Sequence, residues 1–558
     1  MPLISIAFVA FVLGTIQGCP GKPNRDAAER YVNAWQDHDY AAMHAELSPE
    51  SQQTIPLEQF EQSYTEAEAI ATLKSIESTE AEGDETVARI LVTARTLAFG
   101  EVRHPLKVTF DADGIAWHTS LLFPGLTGDE ELTRTTKLPR RAAILARDGQ
   151  KMVDGPSFAR EYPLGDSMID VTGTIGTGSQ LSPENQALGF SPGEPVGVSG
   201  LELAYNSRLA GKPGGTLFAK PSGSGTEGEG RQLAQGEPRP ARPLKTTIDP
   251  TLQEAAVAGM SPYVGGAAVL DARNGQIRAL AAQAFSVLQP PGSTMKIITA
   301  TAGLENEEVT MDQQFDYVTS GVADGREIKN AYNELCGGSF VEAFAESCNS
   351  VFAPLAMKIG EETMTETSEA FGFNRPPQIW NAEGQAAVAP PTPSIPKPGD
   401  YNNELGVSGI GQGLVQATPL LMASTAQAIA NKGVVSPTPI VTEKALQADS
   451  GPVRVASKKT AAQVAELMVA VVQAGTGLAA AIPEAQVAGK TGTAEVGIRA
   501  GGEVDEEGNP DLIEDAWFAG FAPSGNPKLA VAVMVIDASA GGGTIAAPIV
   551  ASILSAGL

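Results

Sequence analysis

The ten residues from Pro290 to Thr299, P-P-G-S-T-M-K-I-I-T, constrain this chain more than any other stretch. Pro291-Gly292 is a turn signal, since proline presets one backbone angle and glycine tolerates the left-handed region. Met295, Ile297, Ile298 and the alanine-rich run to Leu304 then predict a buried helix that starts at Ser293. Residues three apart share a helix face, so the Ser293 hydroxyl and the Lys296 amine are expected within hydrogen-bonding reach. A hydroxyl is a weak nucleophile until a base takes its proton, and a lysine neutralised by burial or by a nearby cation can be that base. A helix N-terminus also brings a backbone N–H near a developing oxyanion. For S-x-x-K alone, a serine N-cap followed by a solvated lysine is the plainer reading.

Two later segments change the balance. Ser347-Cys348-Asn349 lies in F-A-E-S-C-N-S-V-F, and Lys490-Thr491-Gly492-Thr493 lies in Q-V-A-G-K-T-G-T-A-E. S-x-x-K, a Ser/Asn element and K-T-G, in this order, form the motif set of penicillin-binding proteins and serine β-lactamases. All four histidines, His38, His44, His104 and His118, precede residue 130. The segment with the three motifs therefore has no imidazole for a Ser-His-Asp triad or a zinc site, and lysine is left as the base.

With the flanks T-T-I-D-P-T-L-Q (246–253), I-G-Q-G-L-V-Q-A-T-P-L-L-M-A (410–423), A-W-F-A-G-F-A-P (516–523) and G-V-S-G-L-E-L-A-Y-N (197–206), the chain from about Leu138 onward resembles class B penicillin-binding proteins. These are the monofunctional cell-wall transpeptidases. The resemblance implies acyl transfer from a D-Ala-D-Ala stem peptide of peptidoglycan: Ser293 attacks, D-Ala leaves, and an amine of a neighbouring stem resolves the acyl-enzyme. Lys296 is the expected base, Ser347 relays the proton to the leaving group, and Asn349 holds a substrate amide. Lys490 supplies positive potential and helps keep Lys296 neutral, since a nearby cation lowers an amine pKa. Thr491 and Thr493 are expected to bind the terminal carboxylate, with Gly492 admitting a ligand backbone close to the strand. The N–H groups of Ser293 and Thr493 would form the oxyanion hole. β-Lactams are expected as acylating inhibitors, and no cofactor or metal is expected. Three alternatives stand beside this reading: a D,D-carboxypeptidase, a non-catalytic β-lactam receptor or division scaffold, and, least favoured for want of a deacylating base, a β-lactamase.

The expected architecture is multidomain α+β. Residues 24–130 open with helical patterns and turn to alternation in V-A-R-I-L-V-T-A and P-L-K-V-T-F, which predicts a small α+β cone domain. It resembles the nuclear transport factor 2-like domain found in some class B enzymes. Residues 138–220 resemble the family's elongated pedestal, of the dimerisation type. Residues 221–243, rich in Gly, Pro and charge, predict a flexible linker or loop. Residues 244–558 are the transpeptidase candidate: a hairpin around Asn274-Gly275, a largely helical middle to about Ala474, and strands near 487–496, 516–522 and 529–536. That order predicts a central antiparallel sheet packed by helices, like the penicillin-binding/β-lactamase domain.

The first nineteen residues are an apolar run of signal length ending in Ile16-Gln17-Gly18-Cys19, and resemble a bacterial lipoprotein signal with Cys19 as the lipidated residue. An uncleaved anchor is the alternative, and either exports the rest to the outer face of the cell membrane. A cell-wall synthesis complex is then an expected partner. The formal charge of −27 argues against nucleic acid. The remaining cysteines, Cys336 and Cys348, lie across an apparent turn; outside the cytoplasm they could close a disulfide, and two buried thiols are the alternative.

Overall fold

A computed structural model describes residues 23–111, 113–177, 182–223, 230–498 and 512–558. The signal segment with Cys19 and residues 224–229 of the expected linker lie outside the described residues. No described helix is long and apolar enough to cross a membrane.

The chain divides into two compact units. One comprises Met1–Arg140, Thr177–Glu194 and Gly211–Ala241; the other comprises Arg141–Gly176, Pro195–Ala210 and Arg242–Leu558. In the first, helices Pro23–Gln36 and Leu57–Ala71 precede an antiparallel sheet whose longest strands are Val87–Thr96 and Glu101–Asp111. Val87–Thr96 buries every second residue, which sets one face against the helices. Tyr31, Trp35, Phe60 and Tyr64 fill the space between. Their polar ends are satisfied: the Tyr31 and Tyr64 hydroxyls share a hydrogen bond, and Trp35 donates to Glu68 at 2.8 Å.

A second sheet of this unit, ordered Arg231–Gly236, Gly214–Pro221, Glu130–Lys137, adds Leu132, Leu217, Ala219 and Ala234 to the same core. One expectation is corrected here. Residues 231–236 are a strand where composition predicts a linker, because antiparallel pairing with the preceding strand Gly214–Pro221 outweighs local Gly and Pro content. The span 138–220 is shared between the two units.

The second unit is built on a five-stranded antiparallel sheet. Its strands are β1 (Gly265–Asp271), β2 (Ile277–Ala282), β3 (Ala488–Ile498), β4 (Leu512–Ala522) and β5 (Leu529–Ala538), in the order β2-β1-β5-β4-β3. Helix α1 (Pro250–Met260) and the C-terminal helix Ala546–Gly557 share a core with one face. On the other side runs α2 (Lys296–Glu305), buried all round from Lys296 to Leu304, as an alanine-rich helix without a polar stripe must be. Here too local structure differs from expectation. Gly292–Met295 is a 3₁₀ turn and the α-helix begins only at Lys296. The middle is less helical than composition predicts, since residues 314–339 form two small antiparallel pairs, Gln314–Val318 with Cys336–Ser339 and Ser320–Ala323 with Arg326–Lys329.

Candidate active site

Three separate stretches meet at the Ser293 turn. Gly292, at φ +53°, lets the chain pass so close to β3 that an added Cβ would lie 2.5 Å from the Thr493 carbonyl oxygen. Gly492 does the same from the strand side, where a Cβ would meet the Pro291 carbonyl oxygen at 2.7 Å. Gly292 also donates its N–H to the Gly411 carbonyl at 2.9 Å, fixing the turn to the I-G-Q-G segment. The second motif forms the turn between α3 (Phe340–Ala345) and α4 (Asn349–Ile359), with Ser347 in the left-handed region at φ +65°. A non-glycine residue held there is strained locally and persists because its surroundings determine it.

Lys296 is fully buried, and its amine donates to the Ser293 hydroxyl at 3.0 Å, the Ser347 carbonyl at 2.7 Å and Asn349 Oδ1 at 2.6 Å. The Ser347 hydroxyl stands between two amines, 3.2 Å from Lys296 Nζ and 2.9 Å from Lys490 Nζ. Burial first, and then the charge of Lys490, hold the Lys296 amine well below the usual lysine range. Burial brings Lys490 down to about 7, against the opposing pull of the Glu346 carboxylate. A neutral amine keeps two N–H donors and gains a lone pair. The two shortest contacts, to Ser347 O and Asn349 Oδ1, can take both donors, leaving the lone pair for the Ser293 proton. The arrangement can therefore take a proton from Ser293 and pass one along Ser347 to a group leaving on the far side.

The third motif lies on the edge strand β3. Lys490 reaches towards the second motif, and Thr491 takes the opposite face, as strand alternation requires. The Thr476 hydroxyl donates to the Ala345 carbonyl at 3.3 Å and shares a 2.6 Å bond with the Thr491 hydroxyl. Either hydroxyl of that pair can be the donor. The Thr493 oxygen accepts the Gly542 N–H at 3.4 Å.

Several contributors carry no motif signal. Phe352 lies under the Lys296 amine at 5.6 Å and Phe344 under Lys490 at 5.7 Å. Both flank the second motif in F-A-E-S-C-N-S-V-F, so the segment was visible although the role was not. The Lys329 carbonyl accepts Asn349 Nδ2 at 2.9 Å, and Asn330 accepts the Ser350 N–H at 2.8 Å. A backbone acceptor leaves no trace in a sequence. Cys336 and Cys348 form a disulfide with Cα atoms 5.5 Å apart, tying the strand Cys336–Ser339 to the turn of Ser347 and Asn349.

The sequence pattern of the penicillin-binding protein transpeptidase domain matches residues 265–555, more than half the chain. The chain belongs to the penicillin-binding protein transpeptidase family. The pattern of the penicillin-binding protein dimerisation domain matches residues 155–238. Peptidoglycan D,D-transpeptidase PbpA of Mycolicibacterium smegmatis is 32% identical over 72% of this chain and 84% of its own length. Among solved structures, this penicillin-binding protein is similar to penicillin-binding protein A from M. tuberculosis in a ceftriaxone acyl-enzyme complex, at 26% identity and a TM-score of 0.56 over 75% of this chain and 98% of that one. It is also similar to the D,D-transpeptidase domain of a peptidoglycan glycosyltransferase from Eggerthella lenta, at 25% identity and a TM-score of 0.57 over the same share of this chain and 98% of the other.

Proposed function

We propose that this penicillin-binding protein is a peptidoglycan D,D-transpeptidase working through an acyl-enzyme on Ser293. The observation that carries the reading is a fully buried, charge-disfavoured Lys296 amine 3.0 Å from the Ser293 hydroxyl. Lys296 takes the Ser293 proton as the oxygen attacks the D-Ala-D-Ala carbonyl. Backbone N–H groups of Ser293 and Thr493 stabilise the oxyanion. The proton passes through Ser347 to the leaving D-Ala nitrogen, and the C–N bond breaks. An amine of a second stem peptide then attacks the ester, gives up a proton by the reverse route, and releases Ser293. Asn349 holds a peptide amide, and Thr491 and Thr493 with Lys490 receive the terminal carboxylate. β-Lactams acylate the same oxygen.

The export reading extends this: the chain acts at the extracytoplasmic face of a bacterial membrane, held by lipid on Cys19 or by an anchor, within a cell-wall synthesis complex. The helices and antiparallel sheet of the first unit support a nuclear transport factor 2-like domain serving as spacer or binding module. Intact-mass spectrometry after penicillin, followed over time, tests the core claim. A single stable adduct lost in Ser293→Ala is expected. An adduct that persists in Ser293→Ala removes the nucleophile, and rapid return to the free mass turns the reading to β-lactam hydrolysis.

A further inference from the structure

The side-chain amide of Asn349 has two unlike ends, and the Lys296 base depends on which of them it meets. Oδ1 accepts from the Lys296 amine at 2.6 Å, and Nδ2 donates to the Lys329 carbonyl at 2.9 Å. A backbone carbonyl can only accept, so that carbonyl fixes which way the amide points. Reversed, the amide would aim its N–H groups at Lys296. A neutral amine could receive them only through its lone pair, and the lone pair is what must take the Ser293 proton. The placement of one peptide carbonyl therefore bears on the chemistry at Ser293.

That carbonyl belongs to the peptide joining Lys329 to Asn330. Asn330 is only 5% exposed and spends all its donors on backbone carbonyls. Its N–H reaches Thr319 at 2.8 Å, and its Nδ2 reaches Val318 at 2.8 Å and Glu334 at 3.1 Å. Its Oδ1 accepts the Ser350 N–H at 2.8 Å. Ser350 is the second residue of α4, and the N-cap of that helix, Cys348, gives no side-chain cap of its own, its sulfur being bonded to Cys336. Asn330 thus caps α4 from a separate segment, taking one of the N–H groups that a helix start leaves unpaired. By the same contacts it holds the Lys329 carbonyl and the first turn of α4, where Asn349 sits, in one frame. The approach is close: a Cβ on Gly321, in the strand paired with Arg326–Lys329, would lie 2.5 Å from the Ser350 carbonyl oxygen.

We infer that Asn330 is a positioning residue for acylation: it pins the Lys329 carbonyl, which turns Asn349 Oδ1 towards Lys296 and keeps the lysine lone pair free for the Ser293 proton. Asn330 touches neither Ser293 nor Lys296 and acts through Asn349. The inference deepens the transpeptidase reading and rests on Lys296 being its base. A residue that merely capped α4 would contribute to stability without deciding the orientation of the amide, and the two roles separate in experiment.

The test follows penicillin acylation of the full-length chain by stopped flow, with thermal unfolding beside it. Asn330→Ala is expected to slow acylation about tenfold at the pH where the wild-type rate levels off. Its acid limb is expected at lower pH than the wild type's, because a hydrogen bond given to the neutral amine disfavours the charged form. The charge that bears on Lys296, that of Lys490, is common to both proteins. In an Asn349→Ala background the same substitution is expected to cost little more, since residues that act through one another are not additive. Asn330→Asp keeps an acceptor for the Ser350 N–H, and with it the cap on α4, but cannot donate to both carbonyls. It is expected to show the slowed, non-additive acylation at a melting temperature near the wild type's. A second full loss in the Asn349→Ala background from either variant, an acid limb that stays in place in Asn330→Ala, or normal acylation in Asn330→Asp overturns the inference and leaves Asn330 a structural cap. Failure of penicillin to acylate the wild-type protein would instead remove the transpeptidase reading, and this inference with it.

Discussion

Lys296 shows how much a single residue depends on its setting. An amine in water holds its proton up to about pH 10.4, whereas here burial and a second lysine disfavour the charge together. Lys296→Arg should keep the cation and lose the base, since guanidinium does not give up its proton. Penicillin acylation should then fall by about 10²–10⁴-fold, the usual worth of general-base help, and stopped-flow acylation at the normal rate would refute the role. The pH profile carries a sign that can be checked. Acylation needs the neutral amine, so its rate should rise with pH through the lowered pKa of Lys296 and level off well below the ordinary lysine range. Removing a like charge raises the pKa of the amine left behind, so Lys490→Gln should move this acid limb to higher pH. A limb that stayed in place would separate the two lysines electrostatically, against their shared contact with Ser347.

The elements around the site are held less by their own propensity than by close contacts between them. Gly492 permits β3 to touch the Ser293 turn, and a Cβ there would meet the Pro291 carbonyl oxygen at 2.7 Å. Gly492→Ala should therefore push the turn from the strand and slow acylation by about tenfold or more, because small displacements of reacting groups cost large factors. Folding should be affected far less, which thermal unfolding beside acylation kinetics would show; equal losses in both would make the glycine merely structural. The turn of Ser347 and Asn349 is braced by the Cys336–Cys348 bridge, and closing a loop of this size is worth about 3 kcal/mol. Thiol titration of the non-reduced protein should find neither Cys336 nor Cys348 free. Cys336→Ser should slow penicillin acylation more than its loss of melting temperature suggests, since the released turn carries two groups of the site. Normal acylation in that variant would confine the bridge to stability.

At the scale of the molecule, distant parts of the chain are joined by buried charge. Arg141 donates to Glu202 at 2.6 Å and to Asn206 at 2.9 Å, and Arg160 reaches the other oxygen of Glu202 at 2.6 Å. All three ionic groups are almost wholly buried. Glu202→Ala would leave two guanidinium groups without their counter-charge, and breaking such a set costs about 3–5 kcal/mol. Chemical denaturation should show that loss, and a change below about 1 kcal/mol would mean that water replaces the carboxylate. Arg141 opens R-A-A-I-L-A-R-D-G and Glu202 and Asn206 lie in G-V-S-G-L-E-L-A-Y-N, although nothing local in either stretch says that they meet.

The sequence by itself determined what depends on short spacing. A turn followed by S-x-x-K sets a hydroxyl and an amine one helical turn apart, strand alternation sends Lys490 and Thr491 to opposite faces, and period-two burial is legible in Val87–Thr96. The central antiparallel sheet was readable for the same reason, since its strands are apolar runs bounded by turn residues. Tertiary structure decided whatever depends on segments far apart in the chain. Lys296 meets a carbonyl 51 residues away, and Lys490 meets a hydroxyl 143 residues away. The lowered lysine pKa values follow from that burial, and the Thr491 hydroxyl is hydrogen-bonded to that of Thr476. Local rules act through bond geometry over a few residues, whereas burial, charge and strand pairing are properties of neighbours that only the folded chain supplies.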